Sequence, residues 1–292
     1  MIAVRPRRSI LYMPGSNARA LEKARALPAD ALILDLEDAV APDAKEMARQ
    51  QVCDSVRARG FGKREIVVRI NALTTPWGLA DLESAVQAKP DAILVPKICA
   101  PKDLHVIEDH LGRIGADRSI AVWAMVETPL AILNIAAIAA TGGRLACFVM
   151  GTNDLIKEVH GFHTPDRANI AAALSFSVLA ARANNIAAID GVYNDIQDMD
   201  GFRAVCEQAK SFGFDGKTLI HPNQVEACNA VFAPSREEVD LARKLIAAFE
   251  LPQNKDKGAI KLDGRMVELL HAEIARGTVA MADAIASLEA NR

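Results

Sequence analysis

Eight short apolar runs, each closed by polar or charged residues and followed by a segment of helical spacing, constrain this chain more than any other feature. In order they are Ser9 to Pro14, Ala31 to Asp38, Glu65 to Asn71, Ala92 to Lys97, Ile120 to Thr128, Leu145 to Asp154, Ala187 to Asp195 and Gly216 to Pro222. Continuous apolar runs of this length read as parallel strands covered on both faces. The stretches between them, such as Asn17 to Leu27 and Asp43 to Gly60, set apolar residues three and four apart among charges, as amphipathic outer helices do. Eight strands alternating with helices, joined by right-handed crossovers, predict an α/β fold of the (β/α)8 TIM-barrel type. At 292 residues, half of them hydrophobic, the chain is long for a single open sheet and typical of one closed barrel.

The barrel takes residues 1–234 on this reading. Residues 235–292 then form a C-terminal helical extension: one closing helix, a polar glycine-bearing stretch, and a second long helix. Such an extension either packs against the side of a barrel or serves as a lid over an active site, its own or that of a neighbouring subunit.

The same chain excludes several classes of partner. A formal net charge of −3 leaves no electrostatic footprint for nucleic acid. The basic start, Arg5 to Arg8, leads into a run too brief for a signal peptide, and the longest apolar stretch, Leu130 to Ala140, is too short to span a membrane. Five scattered cysteines without a CxxC pair argue for a reducing compartment, so a soluble cytoplasmic protein is expected.

In a barrel, chemistry gathers at the carboxyl ends of the strands. Here those ends offer Pro14 to Ser16, Asp35 with Glu37 and Asp38, Arg69 with Asn71, Lys97, Glu127, Asn153 with Asp154, Asp190 with Tyr193 and Asp195, and His221. Glu127 and Asp154 close successive strands, which lie about 4.8 Å apart, so both can reach one divalent cation. A single such carboxylate is as readily a helix cap or the partner of an arginine; two in register favour a metal. Oxygen ligands favour magnesium, or manganese, over zinc, and His160 and His163 read as a solvated loop pair. Lys97, surrounded by acids, reads as an ion-pair partner. Arg69 either neutralises those acids or holds a substrate carboxylate bidentately. No phosphate loop, dinucleotide fingerprint or serine nucleophile elbow is present. What remains is metal-assisted chemistry on a small oxyacid, with an enolate as the species to stabilise.

Taken together, Arg8-Ser9 through Pro14-Gly15, Asp35-Leu-Glu-Asp-Ala-Val40, Val68-Arg-Ile-Asn71, Val95-Pro-Lys97, Glu127-Thr-Pro129, Gly151-Thr-Asn-Asp-Leu155, Asp190-Gly-Val-Tyr193 and Gly213 through Pro222 resemble the citrate lyase β-subunit-like family, which includes malyl-CoA and citramalyl-CoA lyases. The resemblance runs from about Arg8 to the end of the chain. It implies a magnesium-dependent lyase that splits a 3-hydroxyacyl-CoA into an acyl-CoA and a 2-oxoacid, glyoxylate or pyruvate, with coenzyme A as part of the substrate. It further implies that Glu127 and Asp154 bind the metal, that Arg69 holds the oxoacid carboxylate, and that Tyr12, Lys23 and the Ile220-His221-Pro222 turn line the coenzyme site. Asn17 stands where some relatives carry an arginine for the same ligand. A homotrimer or hexamer is implied as well. From their places at the strand ends, Asn153 is counted with the substrate site, and Glu37 and Asp38 are the candidate bases because they should face the mouth without being first choices as metal ligands.

One departure stands out. The family usually carries an aspartate in a C-terminal G-x-M-[IV]-D pattern, supplied by the lid of an adjacent subunit and tied to thioester hydrolysis or condensation; here Gly264-Arg-Met-Val-Glu268 ends in glutamate. One extra methylene moves a catalytic oxygen by about an ångström, which can cost on the order of a hundredfold, so carbon–carbon cleavage is expected and thioesterase activity is not. The same resemblance also admits a citrate lyase β subunit working on a carrier-bound citryl group, a malyl-CoA thioesterase, a coenzyme-independent 2-oxoacid aldolase, and a non-catalytic metabolite-binding protein.

Overall fold

The computed structural model describes residues 4–254 and 257–291. Eight parallel strands close on themselves in sequence order: β1 (Ser9–Pro14), β2 (Ala31–Asp35), β3 (Glu65–Arg69), β4 (Ala92–Val95), β5 (Ala121–Val126), β6 (Leu145–Met150), β7 (Ala187–Asp190) and β8 (Gly216–Leu219), with β8 pairing back to β1. The helices between and after them are α1 (Ala18–Ala24), α2 (Lys45–Ala58), α3 (Gly78–Ala88), α4 (Pro101–Arg113), α5 (Pro129–Leu133), α6 (Ile135–Ala139), α7 (Thr152–Glu158), α8 (Ala171–Ala183), α9 (Met199–Phe212) and α10 (Gln224–Phe232). This is the TIM-barrel fold expected from the eight runs.

Strand alternation sorts the side chains into two cores. Ile10, Ile33, Val67, Leu94, Trp123, Val149 and Ile189 fill the barrel interior, while Leu11, Leu32, Leu34, Val68, Ile93 and Phe148 pack outward against the helices. At the lower end of the interior Arg7 is paired with Glu65 at 2.6 Å and lies over the Trp123 ring. The same alternation turns Tyr12, Asp35, Arg69 and Met125 inward at the upper end, two residues above the apolar filling.

The strands are shorter than the apolar runs suggest. β2 stops at Asp35 because its side chain accepts the amides of Glu37 and Ala39, at 2.8 and 3.1 Å, and so folds the next residues into a turn. β6 stops at Met150, and Gly151 caps α7, so Asp154 sits in the first turn of a helix rather than at a strand end.

The segment Ala233–Asn291 forms a second compact unit. Ser235 and Glu238 make a capping box that opens α11 (Arg236–Glu250). The stretch read from sequence as merely polar contains a hairpin, β9 (Ala259–Leu262) with β10 (Arg265–Glu268). Its two-residue turn is Asp263-Gly264 with φ of +49° and +81°, the Asp-Gly signal of a type I′ turn. Within this unit α12 (Leu269–Glu289) packs on α11 through Leu245, Phe249, Ala272 and Ala275. No helix among the described residues is long and apolar enough to cross a membrane.

Candidate active site

Asp35 and Arg69 end neighbouring strands and face each other in register. Arg69 donates from Nε to Asp35 Oδ1 and from Nη2 to Oδ2, both at 2.6 Å, and its guanidinium lies 4.8 Å from the centre of the Tyr12 ring. A fork of this kind fixes the plane of the guanidinium and leaves one edge, Nη1, for other partners. That edge meets Glu37 Oε2 at 2.9 Å and Asp38 Oδ2 at 3.4 Å, with Met125 Sδ at 3.7 Å. Asp38, largely exposed, reaches the same arginine from the turn after β2. Burial pushes Glu37 up to about 8 against the pull of Arg69, and the charges of Asp38, Glu127 and Asp35 add to the rise. Burial likewise drives the Tyr12 hydroxyl well above its ordinary value.

Glu127 directly follows β5 and is buried. Its Oε1 accepts the Lys97 backbone N–H at 2.7 Å. To present that N–H, Lys97 adopts φ of +56°, an uncommon conformation for a residue with a Cβ and a mark of local strain at a site. The lysine's own ammonium makes no ion pair among the described residues, so its contribution is backbone geometry rather than the expected salt bridge. Burial raises the Glu127 carboxyl to about 7; the Lys97 N–H pulls it down and the Asp154 charge pushes it up.

Gly151 makes room for this carboxylate: a Cβ there would fall 2.4 Å from Glu127 Cβ and 2.7 Å from Oε2. Its φ of −93° suits any residue, so an alanine would be penalised only by that collision. If Glu127 is a ligand of the metal, Gly151→Ala should weaken divalent-metal binding by roughly 10- to 100-fold, as loss of a ligand's supporting geometry does. Titrating Mn²⁺ into the purified variant by calorimetry checks this; wild-type affinity would show that Glu127 needs no such clearance.

Tyr12, Asp38, Arg69, Glu127, Asn153, Asp154 and Ile220 line one cavity of about 320 Å³ at the carboxyl end of the barrel. Lys23, His221 and Pro222 are exposed and lie outside that lining, with His221 turned to Asn223 at 2.7 Å; half-buried Glu37 is not part of the lining either and stands behind it against Arg69. Glu268 belongs to the second unit, where it closes β10 and its N–H is accepted by His271 Nδ1. Asp190 does not reach the mouth. It points between sheet and helices, where Lys217 and Arg167 meet it at 2.7 and 2.8 Å and hold its carboxyl below the usual range despite full burial. Tyr193 and Asp195 serve the following turn, Tyr193 bonding to Asp198 and Asp195 accepting the amides of Gln197 and Asp198.

Sequence reasoning missed the supports of these groups. Buried Gln224 joins the amides of Ile220 and His221 to the carbonyl of Tyr193, and buried Lys45 lies under the turn that carries Glu37. Neither has a signal of its own, since each looks like a polar residue at the start of an amphipathic helix.

Among the described residues no three His, Cys, Asp or Glu side chains form a metal cage. Two carboxylates on one cavity, with open volume beside them, suit a hard cation that keeps water and substrate oxygens as its other ligands, which is the habit of magnesium.

The model of the HpcH/HpaI aldolase/citrate lyase family matches residues 8–222. Over 286 residues, 98% of both chains, the sequence is 49% identical to a (3S)-malyl-CoA thioesterase of Cereibacter sphaeroides strain KD131. It is 35% identical to the citrate lyase subunit beta of Escherichia coli K12, over 90% of this chain and 89% of that one. Among solved structures, the CitE protein of Mycobacterium tuberculosis in complex with magnesium, acetoacetate and coenzyme A aligns with a TM-score of 0.72 at 30% identity, covering 93% of this chain and 97% of that one.

Proposed function

The chain belongs to the HpcH/HpaI aldolase/citrate lyase family, and from that membership and the geometry of the mouth we propose that it is a magnesium-dependent lyase cleaving a 3-hydroxyacyl-CoA, such as malyl-CoA or citramalyl-CoA, into an acyl-CoA and a 2-oxoacid. The observation that carries this reading is that buried Arg69 lines the same cavity as Glu127 and Asp154. A cation for a carboxylate and a pair of metal-ligating oxygens are what a 2-oxoacid product requires. Glu127 and Asp154 would hold the metal, which when bound polarises the oxoacid oxygen and spreads the charge of the enolate. Arg69, its plane set by Asp35 and Tyr12, receives the carboxylate at Nη1, where it displaces the exposed Asp38 carboxylate that stands 3.4 Å away. Glu37, raised to about 8, suits a base that takes the substrate hydroxyl proton near neutrality. The alkoxide then becomes the carbonyl of the oxoacid, the carbon–carbon pair passes to the thioester as an enolate, and a proton completes the acyl-CoA.

Lys23 and the Ile220-His221-Pro222 turn supply the candidate coenzyme surface, and Glu268 belongs to a lid acting across a homo-oligomer. A second reading, thioester hydrolysis, is favoured by the name of the 49%-identical relative. The two are separated by incubating the protein with magnesium and malyl-CoA or citramalyl-CoA while following oxoacid and free thiol in parallel. Oxoacid without thiol is the expected result. Free thiol without oxoacid, lost in Glu268→Gln, would replace the lyase reading with hydrolysis.

A further inference from the structure

Lys45 opens α2 and is 6% exposed, with its ammonium beneath the turn that follows β2. It donates to the carbonyls of Leu36 and Glu37 at 2.8 and 2.7 Å and to Asn71 Oδ1 at 2.7 Å, which uses all three of its protons. Asn71 in turn donates to the Leu36 carbonyl at 2.8 Å and to Asp81 Oδ2 at 2.6 Å, and Arg49 holds the other oxygen of Asp81 at 2.6 Å. From the opposite side Asp35 accepts the amides of Glu37 and Ala39. The turn is therefore gripped by its carbonyls from below and by its amides from within the barrel.

A surface turn needs no such device, because water satisfies its carbonyls. An ammonium is costly to bury, and a fully satisfied buried network rigidifies what it touches. The segment it touches carries Glu37 and Asp38, the two carboxylates that meet Arg69 Nη1. We propose that Lys45 is a positioning residue for Glu37: by fixing the main chain of residues 36 to 38 it sets where the Glu37 carboxylate stands against Arg69. The assignment of a catalytic task to Glu37 rests on the lyase reading above; the positional claim does not.

Two measurements on the full-length protein test this. In Lys45→Met, amide hydrogen exchange of the segment 36–39 should rise at least about tenfold while β5 and β6 keep their protection, since the local opening loses its restraint. In cleavage assays kcat should fall on the order of 100-fold with KM held within about threefold, because an ångström of misplacement acts on the reacting geometry rather than on ground-state binding. In a Glu37→Gln background the same substitution should cost less than about threefold, the signature of one residue acting through another. Unchanged exchange at 36–39, or an equal loss in both backgrounds, overturns the proposal. Should Lys45→Met fail to fold, Lys45→Gln keeps a donor with shorter reach and should show the same pattern at smaller amplitude; its exchange at wild-type rates is equally fatal. Absence of cleavage by the wild-type protein would remove the lyase reading, and the exchange experiment would still decide the role of Lys45.

Discussion

Arg69→Ala is expected to lower kcat/KM for cleavage by about 10³-fold, because a charge-assisted pair between a buried guanidinium and a substrate carboxylate contributes several kcal/mol to transition-state binding. The residue is buried, its guanidinium lies on the Tyr12 ring, and it is aimed by the two bonds it donates to Asp35. Its removal also strands Asp35, which is fully buried, and breaking one side of a buried ion pair destabilises by roughly 3–5 kcal/mol. Stability and activity must therefore be measured together. Arg69→Lys separates the two effects: it keeps a positive charge for Asp35 and loses the planar fork, so the melting temperature should recover more than the activity. A kcat/KM within tenfold of wild type in a folded Arg69→Ala protein would show that the substrate carboxylate is held elsewhere.

Asp154→Ala and Glu127→Ala are expected to abolish magnesium-dependent turnover, leaving no measurable difference between assays with magnesium and with EDTA. Glu127 and Asp154 are the two carboxylates proposed to hold the ion, so losing either halves the protein's share of its ligands. The pH dependence follows from the same carboxylates. In the metal-free protein Glu127 sits at about 7 and Glu37 at about 8, both above the ordinary value near 4.5. Glu127 must shed its proton to bind a cation, so metal affinity should fall by up to about tenfold per pH unit below pH 7 and level off above it. Stability has the opposite sign: a carboxyl whose folded pKa is raised favours the folded state fully below its unfolded value and loses that contribution as pH rises through the folded one. The metal-free melting temperature should accordingly drift downward between about pH 5 and pH 8, and magnesium should offset the drift at pH 8. Calorimetric titration of Mn²⁺ at several pH values checks the first trend, and an affinity independent of pH between 6 and 8 would detach Glu127 from the metal.

Much of this protein is legible in one dimension. The eight apolar runs determine eight barrel strands, since an uninterrupted stretch of Ile, Leu, Val and Ala covered on both faces has few other places to go. Arg69, Glu127 and Asp154 stand out because chemistry in a barrel gathers at the carboxyl ends of such runs. Where each strand stops was not legible. Asp35 ends β2 through hydrogen bonds to amides two and four residues on, and Asp190, identical to it in the pattern, turns the other way and is neutralised beneath the helices by Lys217 and Arg167. Alternation along a strand decides inside from outside only once register is set, and register is a property of the closed barrel.

The same holds for the groups that hold the site in place. The fold and the family are written in the sequence, and the charged residues at the strand ends are marked there, because burial of apolar runs and the charge at their ends are local properties of the chain. Only the tertiary structure decided that Lys97 serves Glu127 through its backbone, that Gly151 yields space to that carboxylate, and that Lys45 reaches across to the turn of Glu37. Each of these joins elements far apart in the chain, and a hydrogen bond or a steric clearance exists only when the packed barrel brings its two ends within about 3 Å.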